Sequence, residues 1–420
     1  MSNRSGYRNY RNLYSETCDD ELLSWEPFYD FLVKPQFLPY VESILEICKA
    51  RALKTRAFSE FSELVQTLHE RTGIDDILAH DGSEVPMSNN ALGVENYYVN
   101  APALKLHASV SLLSFCTLYN AFTPGQADER INLCDDEVNT LRNKLFTCDA
   151  GYCSDNVYEK VMSQGGFFLI KLRGNCGFKV EAVQKLTTKG VAGAPVVPVE
   201  KGKYKNKVLK VSRVKVNQEQ AADFIAVTAN GIRVRVVKFQ FVKPDGKTVT
   251  ISLATNIPAD KLDLFQISAL YRSRWQCEIF YRCIKDFCSI KGSRSGNINI
   301  QKAFMKFSLI TAYLKIILGA TAQENSEKPL SISPKKLMHS ISPFLSRLME
   351  KIFTGASAAD FHKEVERCCK EVSVSMQKSK ASYINRMRGQ YIGWIIDELK
   401  RPPIKTDLGA VWEKDPSVKV

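Results

Sequence analysis

Along the first part of the chain the apolar positions recur at a helical period. Leu22, Trp25, Phe28 and Leu32, followed by Val41, Ile44, Leu45 and Cys48, lie three or four residues apart with Pro35 and Pro39 between them, which predicts helices over residues 15 to 75. From Ile77 the period changes. Ile77 to Asp81, Ala103 to Leu113 and Phe115 to Phe122 read as strands. Pro124 to Asp128 is a turn, and Asp135 and Asp136 are candidate caps of a helix reaching Leu145. Leu145 to Asp149 then reads as a short strand, Ser154 to Ser163 as a helix and Phe167 to Leu172 as another strand.

Residues 174 to 247 are β-rich and rich in lysine. Asn230-Gly231 and Asp245-Gly246 separate the runs Phe224 to Thr228, Ile232 to Val242 and Thr248 to Ala254, and both dipeptides suit two-residue hairpin turns. A strand over Val249 to Thr255 leads through Pro258 and Asp260, a candidate cap, into a long helix from about Lys261 to Phe287. Gln301 to Leu399 is mostly helical. Three strands, helix, strand, helix, strand is the order of the ribonuclease H-like fold, although fold order alone establishes no activity. The fold class read from the sequence is therefore α/β, a ribonuclease H-like domain over 76–173 and 248–297. Around it stand a basic β-rich insertion at 174–247 and helical regions at 1–75 and 298–420.

Composition narrows the setting. At 420 residues the chain exceeds one ordinary core. The stretch Leu104 to Phe122 is interrupted by Lys105, His107, Ser109 and Ser111 and falls short of the roughly 20 apolar residues of a spanning helix, so no membrane span is expected. Met1 to Tyr14 carries Arg4, Arg8 and Arg11 without the apolar run of a secretory signal, and a cytoplasmic protein is expected. The twelve cysteines include no C-x-x-C pair, which argues against structural zinc, and Cys116, Cys148 and Cys277 fall inside apolar patterns as small buried hydrophobes. The formal charge of +13 is concentrated between Lys171 and Lys247, where 17 Lys or Arg face 5 Asp or Glu. A run that long points to a polyanionic partner.

In a continuous helix Tyr271, Arg274, Glu278 and Lys285 share an arc of about 60° at about 100° per residue. A carboxylate flanked by Arg, Lys and a Tyr hydroxyl suits a cation-bound phosphodiester, with Glu on the cation and the others on phosphate oxygens. The plainer alternative is a solvated face with intrahelical pairs such as Arg274 to Glu278, worth about a few tenths of a kcal/mol. Asp81 and Asp149 each directly follow an apolar strand, whereas Asp75, Asp76, Asp135, Asp136 and Asp155 suit helix capping or structural roles. Two aspartates and a glutamate can supply a site for two cations acting on an in-line phosphodiester reaction. Hard oxygen ligands favour Mg²⁺, with Mn²⁺ as substitute.

Residues 271 to 285, YRSRWQCEIFYRCIK, hold Tyr, two residues, Arg, three residues, Glu, six residues and Lys. This spacing resembles the signature of the insertion-sequence-4 family of bacterial DDE transposases. AHDGSEVPM around Asp81, PALKLHASV around His107, LFTCDAGYCSD around Asp149, GGFFLIKLR ending at Arg173 and the pair Thr255-Asn256 are similar to the same family, over roughly residues 75 to 295. The resemblance implies a cut-and-paste transposase that cleaves and joins double-stranded DNA at element ends and target, with Asp81, Asp149 and Glu278 as catalytic ligands of two Mg²⁺ ions. It also implies a homodimer in the DNA complex, with residues 1–75 a DNA-binding domain and 298–420 a candidate for dimerisation. Tyr271, Arg274, Lys285, Lys105, Lys171 and Arg173 are the expected DNA contacts. In one respect the sequence departs from the family. Residues 174 to 247 contain no Trp to stack on a flipped base; Phe224, Phe239 or Phe241 could stack at about 1 to 3 kcal/mol, although core packing is expected for Phe239 and Phe241, as it is for Trp275. The alternatives are a transposase-derived DNA-binding protein and a ribonuclease H-like nuclease without strand transfer.

Overall fold

Continuous buried runs build the strands that carry the two aspartates. In β5 (Lys144–Cys148) the four residues Leu145, Phe146, Thr147 and Cys148 are all buried, as expected of a parallel strand covered on both faces. β5 pairs in parallel with β1 (Asp76–Pro86) from Asp76 opposite Lys144 to Ala79 opposite Thr147, and in parallel with β6 (Phe167–Lys171). The computed structural model describes residues 25–87, 97–98, 101–125, 127, 141–187, 197–198, 209–218, 220–242, 245–288, 290, 295, 297–327, 332–375 and 392–404. They divide between two compact units interleaved along the chain, one drawn from Met1–Ser62, Asp81–Asp128 and Gln276–Tyr383 and the other from Glu63–His80, Glu129–Trp275 and Ile384–Val420. The protein is a mixed α/β structure.

In the second unit the sheet runs on from β1, β5 and β6 through β11 (Thr248–Thr255), β10 (Arg233–Val242), β9 (Gln220–Val227) and β7 (Lys179–Thr187) to β8 (Val197–Pro198), antiparallel from β6 outward. The strands of the segment 174–247 thus extend this sheet. Gly231 and Gly246 do adopt positive φ, 88° and 78°, as the dipeptides predict. The loops are longer than two residues, however: β9 ends at Val227 and β10 starts at Arg233, while Val242 and Thr248 bound the next. A buried guanidinium ties this extension to the rest. Arg235 pairs with Asp223 at 2.7 Å, both almost wholly buried, and donates to the carbonyls of Ile257 at 3.1 Å and Leu262 at 2.7 Å.

Arg142 and Asn143 are turn and Lys144 opens β5, so no helix reaches Leu145; the candidate caps Asp135 and Asp136 lie outside the described residues. The helix Asp155–Ser163 follows Ser154 as read, and it returns to β6 through Gly166. A Cβ there would sit 2.8 Å from the Leu141 carbonyl, which requires glycine.

The first unit packs the long apolar helix Ile298–Glu324 along Phe37–Ala52, with Lys306 paired to Glu42 at 3.1 Å and Phe37 against Phe307 at 6.2 Å. That long helix is the one segment, among the described residues, long and apolar enough to cross a membrane, and 61% of its apolar window is buried inside the protein. Lys315 within it is buried and donates to the carbonyls of Phe287 and Met338 and to the Ser342 hydroxyl. Here β3 (Ala101–Ser111) pairs with β4 (Cys116–Pro124) and with β2 (Tyr97–Tyr98). Between β3 and β4 Phe115 takes φ 54°, a costly conformation for a bulky residue. It is held by ring contacts of 5.3 Å to Phe58, 5.8 Å to Phe61 and 5.7 Å to Phe280.

Candidate functional site

Asp81 is the first half-exposed position after the buried run Asp76 to His80 of β1. Asp149 likewise follows the buried end of β5. Each stands two residues beyond the last couple of the parallel ladder, Ala79 and Thr147, and in open α/β sheets ligands gather outside such carboxyl ends of strands. The residue before Asp81 reinforces the register: buried His80 meets Tyr152 edge-on at 4.8 Å and Phe146 at 5.1 Å.

Asp149 caps a short 3₁₀ turn, Ala150–Tyr152, accepting from the Gly151 N–H at 2.7 Å. Asp81 accepts from the Gly82 N–H at 2.9 Å. Arg173 donates from Nε to the Ala150 carbonyl at 3.2 Å and from Nη2 to the Gly151 carbonyl at 3.4 Å. These bonds tie Arg173, an expected DNA contact, to the Asp149 turn while its side chain stays exposed.

The long helix predicted over 261 to 287 is divided. An α-helix, Leu264–Tyr271, gives way to a 3₁₀ turn at Arg272–Arg274 and resumes as a second α-helix, Trp275–Phe287. Its N-terminus is capped by Asp263 in a capping box with Gln266, and Asp260 precedes it. A 3₁₀ turn advances about 120° per residue, not 100°, so the single arc read for Tyr271, Arg274, Glu278 and Lys285 does not hold across the break. Glu278 and Lys285 do share one helix edge, two turns apart. Each helix is tied to a strand end next to a carboxylate. The Tyr271 hydroxyl donates to the carbonyl of Cys148, the residue before Asp149, at 3.3 Å. Three residues past Glu278, the Tyr281 hydroxyl donates to the carbonyl of Asp81 itself at 2.6 Å and lies 3.0 Å from that of Leu106.

Lys105 is nearly buried and 4.0 Å from Glu84, and buried His107 meets the Thr123 hydroxyl at 2.8 Å. Lys171 ends β6 half-buried, and Arg274 and Trp275 are half-buried. Asp155 accepts from the Asn230 N–H at 3.1 Å and Asp75 pairs with His69 at 2.9 Å, both structural roles. Phe224 is buried, but Phe241 is 37% exposed, a correction to its expected core packing.

A family model described as the transposase DDE domain matches residues 72–314, more than half of the chain. The chain belongs to that family. No curated protein matches it. Membership in the transposase DDE domain family makes the chain a transposase-type protein acting on DNA, and the family generally uses divalent metals. The donor set fits such ions in its chemistry, since Asp81, Asp149 and Glu278 offer hard carboxylate oxygens. Among the described residues, no three His, Cys, Asp or Glu side chains are grouped so as to hold one ion.

Tyr281 carries no local signal in the sequence, since its two carbonyl partners lie 200 and 175 residues away. Tyr281→Phe should cost about 1 to 3 kcal/mol, because buried carbonyls lose their donor. It should slow DNA cleavage while leaving DNA binding intact. A thermal midpoint and cleavage rate equal to wild type would remove Tyr281 as a positioning residue for Asp81.

Proposed function

We propose that the chain is a cut-and-paste transposase of an insertion sequence, of the insertion-sequence-4 type, built on a ribonuclease H-like catalytic domain. The observation that supports it most is the pair of aspartates, each two residues beyond the last couple of a buried parallel ladder. Asp81, Asp149 and Glu278 are the ligands for two Mg²⁺ ions, with Mn²⁺ as substitute. When bound, such ions activate the attacking oxygen and neutralise the leaving one. The chain's own residues do the rest. Tyr271 and Arg173 hold the Asp149 turn, Tyr281 holds the Asp81 backbone, and Arg274, Lys285 and Lys171 grip phosphate oxygens near the cut. The protein works as a dimer on paired element ends.

A labelled DNA end carrying the inverted repeat that flanks the coding sequence tests this reading. Cleavage followed by joining supports it. Cleavage without joining would make the chain a nuclease, and binding without cleavage a transposase-derived DNA-binding protein.

The basic segment contributes grip, but not through all of its charges. Arg235 and Lys238 are buried, Lys238 donating to the carbonyls of Val211 at 2.9 Å and Val214 at 2.7 Å, and Arg233 pairs with Glu181 at 3.0 Å. Lys179, Lys185, Lys210, Arg213, Lys215 and Lys247 are exposed or half-exposed, while Lys201, Lys203, Lys205 and Lys207 lie outside the described residues. Neutralising Lys179, Lys185, Lys210 and Lys215 together should weaken DNA binding. It should also lower the salt slope by about 0.9 for each phosphate that is no longer neutralised. An unchanged slope in a band-shift series would assign these lysines to solubility.

A further inference from the structure

Two thiols border the turn that carries Asp149, and neither has a part in the chemistry proposed for the site. Cys153 follows the 3₁₀ turn, its N–H donating to the Ala150 carbonyl at 3.4 Å, and its side chain is half-buried. Cys176 stands 23 residues later beyond β6, buried, its N–H donating to the Arg173 carbonyl at 3.0 Å. The two side chains hydrogen-bond to each other, and the Tyr158 hydroxyl donates to the Cys153 sulfur at 3.3 Å.

The environment separates the pair chemically. The hydrogen bond from Cys176, assisted by Tyr158 and the nearby Arg173, outweighs burial and brings the Cys153 thiol down to about 6, while the same contact raises Cys176. Burial instead raises Cys48, Cys116, Cys283, Cys288, Cys368 and Cys369. A half-exposed thiolate with a second thiol in contact is the arrangement of a redox-responsive pair, whereas buried thiols in apolar surroundings are inert.

We propose that Cys153 and Cys176 form a reversible dithiol–disulfide pair whose closure stiffens the Asp149 turn. Peroxide is the oxidant class. The Cys153 sulfur attacks one peroxide oxygen, the O–O bond breaks, and the departing hydroxide takes a proton to become water. The Cys176 sulfur then attacks the resulting sulfenic acid, the S–S bond forms, the S–O bond breaks, and the hydroxyl leaves with the Cys176 proton as a second water. Two thiols lose two electrons and the peroxide gains them. The effect on the turn follows from its hydrogen bonds. The Asp149 carboxylate accepts from Gly151 in its own turn through Oδ1, which leaves Oδ2 to meet a cation, and any adjustment of that oxygen moves with the turn. A bridge from Cys153 to the segment holding Arg173 restrains the adjustment.

The test uses the full chain. After brief exposure to hydrogen peroxide and alkylation of the remaining thiols, digestion and mass analysis should recover a Cys153–Cys176 linked peptide as the main oxidation product. Dithiothreitol should reverse it, and Cys176→Ala should yield Cys153 sulfenic acid trapped by dimedone. Recovery of Cys153 and Cys176 as alkylated thiols while other cysteines oxidise would overturn the pair. The coupling to Asp149 rests on the transposase reading and is measured separately. Oxidised chain should cleave DNA about tenfold more slowly and recover on reduction, while Cys176→Ala, which cannot close the bridge, should show no such loss of cleavage. Linkage without any change in cleavage would overturn the coupling. Because the link is read by mass, failure of the transposase reading leaves that part of the test intact.

Discussion

Glu278→Gln should lower DNA strand cleavage by about a thousandfold, equivalent to ~4 kcal/mol, while binding to the element end stays within about twofold of wild type. Gln keeps the size and polarity of Glu and removes only the charge that a divalent cation requires. The fold should tolerate the exchange. Glu278 lies in the first turn of Trp275–Phe287, where a lost negative charge costs about 0.3 to 1 kcal/mol against the helix dipole. The helix is held by its buried Cys277, Phe280, Tyr281, Cys283 and Ile284. Arg274→Ala and Lys285→Ala should behave differently, weakening DNA assembly and cleavage together because fewer side chains hold the phosphates. Band-shift and cleavage rates on the same purified variants separate the two classes. Wild-type cleavage by Glu278→Gln would remove Glu278 as a ligand and with it the main mechanistic support of the proposal.

Arg235→Ala should destabilise the second unit by about 3 to 5 kcal/mol, because Asp223 would be left as an uncompensated buried charge. The carbonyls of Ile257 and Leu262 would also be deprived of their donor. The melting midpoint of that unit should fall by roughly 6 to 20 °C. Arg233→Ala offers the control within the same strand, since its partner Glu181 is 46% exposed and such pairs are worth about 0 to 1 kcal/mol. Equal midpoints for the two variants would mean that Asp223 is not desolvated.

Arg233 and Arg235 also show where sequence reading stops. Both counted toward a DNA-facing charge, yet one holds the sheet together. The signal was available in Asp223, a lone acid inside the apolar run Ala221 to Val227 that required a buried partner. The strands carrying Asp81 and Asp149 were legible because β1 and β5 hold short, mostly apolar runs, Ile77 to Ala79 and Leu145 to Cys148, and the aspartates stand just beyond them. The 3₁₀ break at Arg272–Arg274 was not, since three residues of altered hydrogen bonding leave no mark on a 3.6-residue period. The cap could have been found: Asp263, two residues, Gln266 is a capping-box pattern, closer to the helix than Asp260. Tyr281 was out of reach, because a hydroxyl bonded to carbonyls far away in the chain has no local signature.

The pairing of β6 with β11 bears on how the protein is made. Thr255 closes onto Phe168 across 87 residues, so β6, the apolar run FFLIK, has no partner on its β11 side until that distance has been synthesised. At about 5 to 20 residues per second this leaves roughly 4 to 17 s in which a nascent sheet edge is open to other chains. Ribosome-bound fragments ending before Thr248 should therefore depend on chaperones and aggregate without them, and expression at lower temperature with chaperone supply should raise the yield of intact protein.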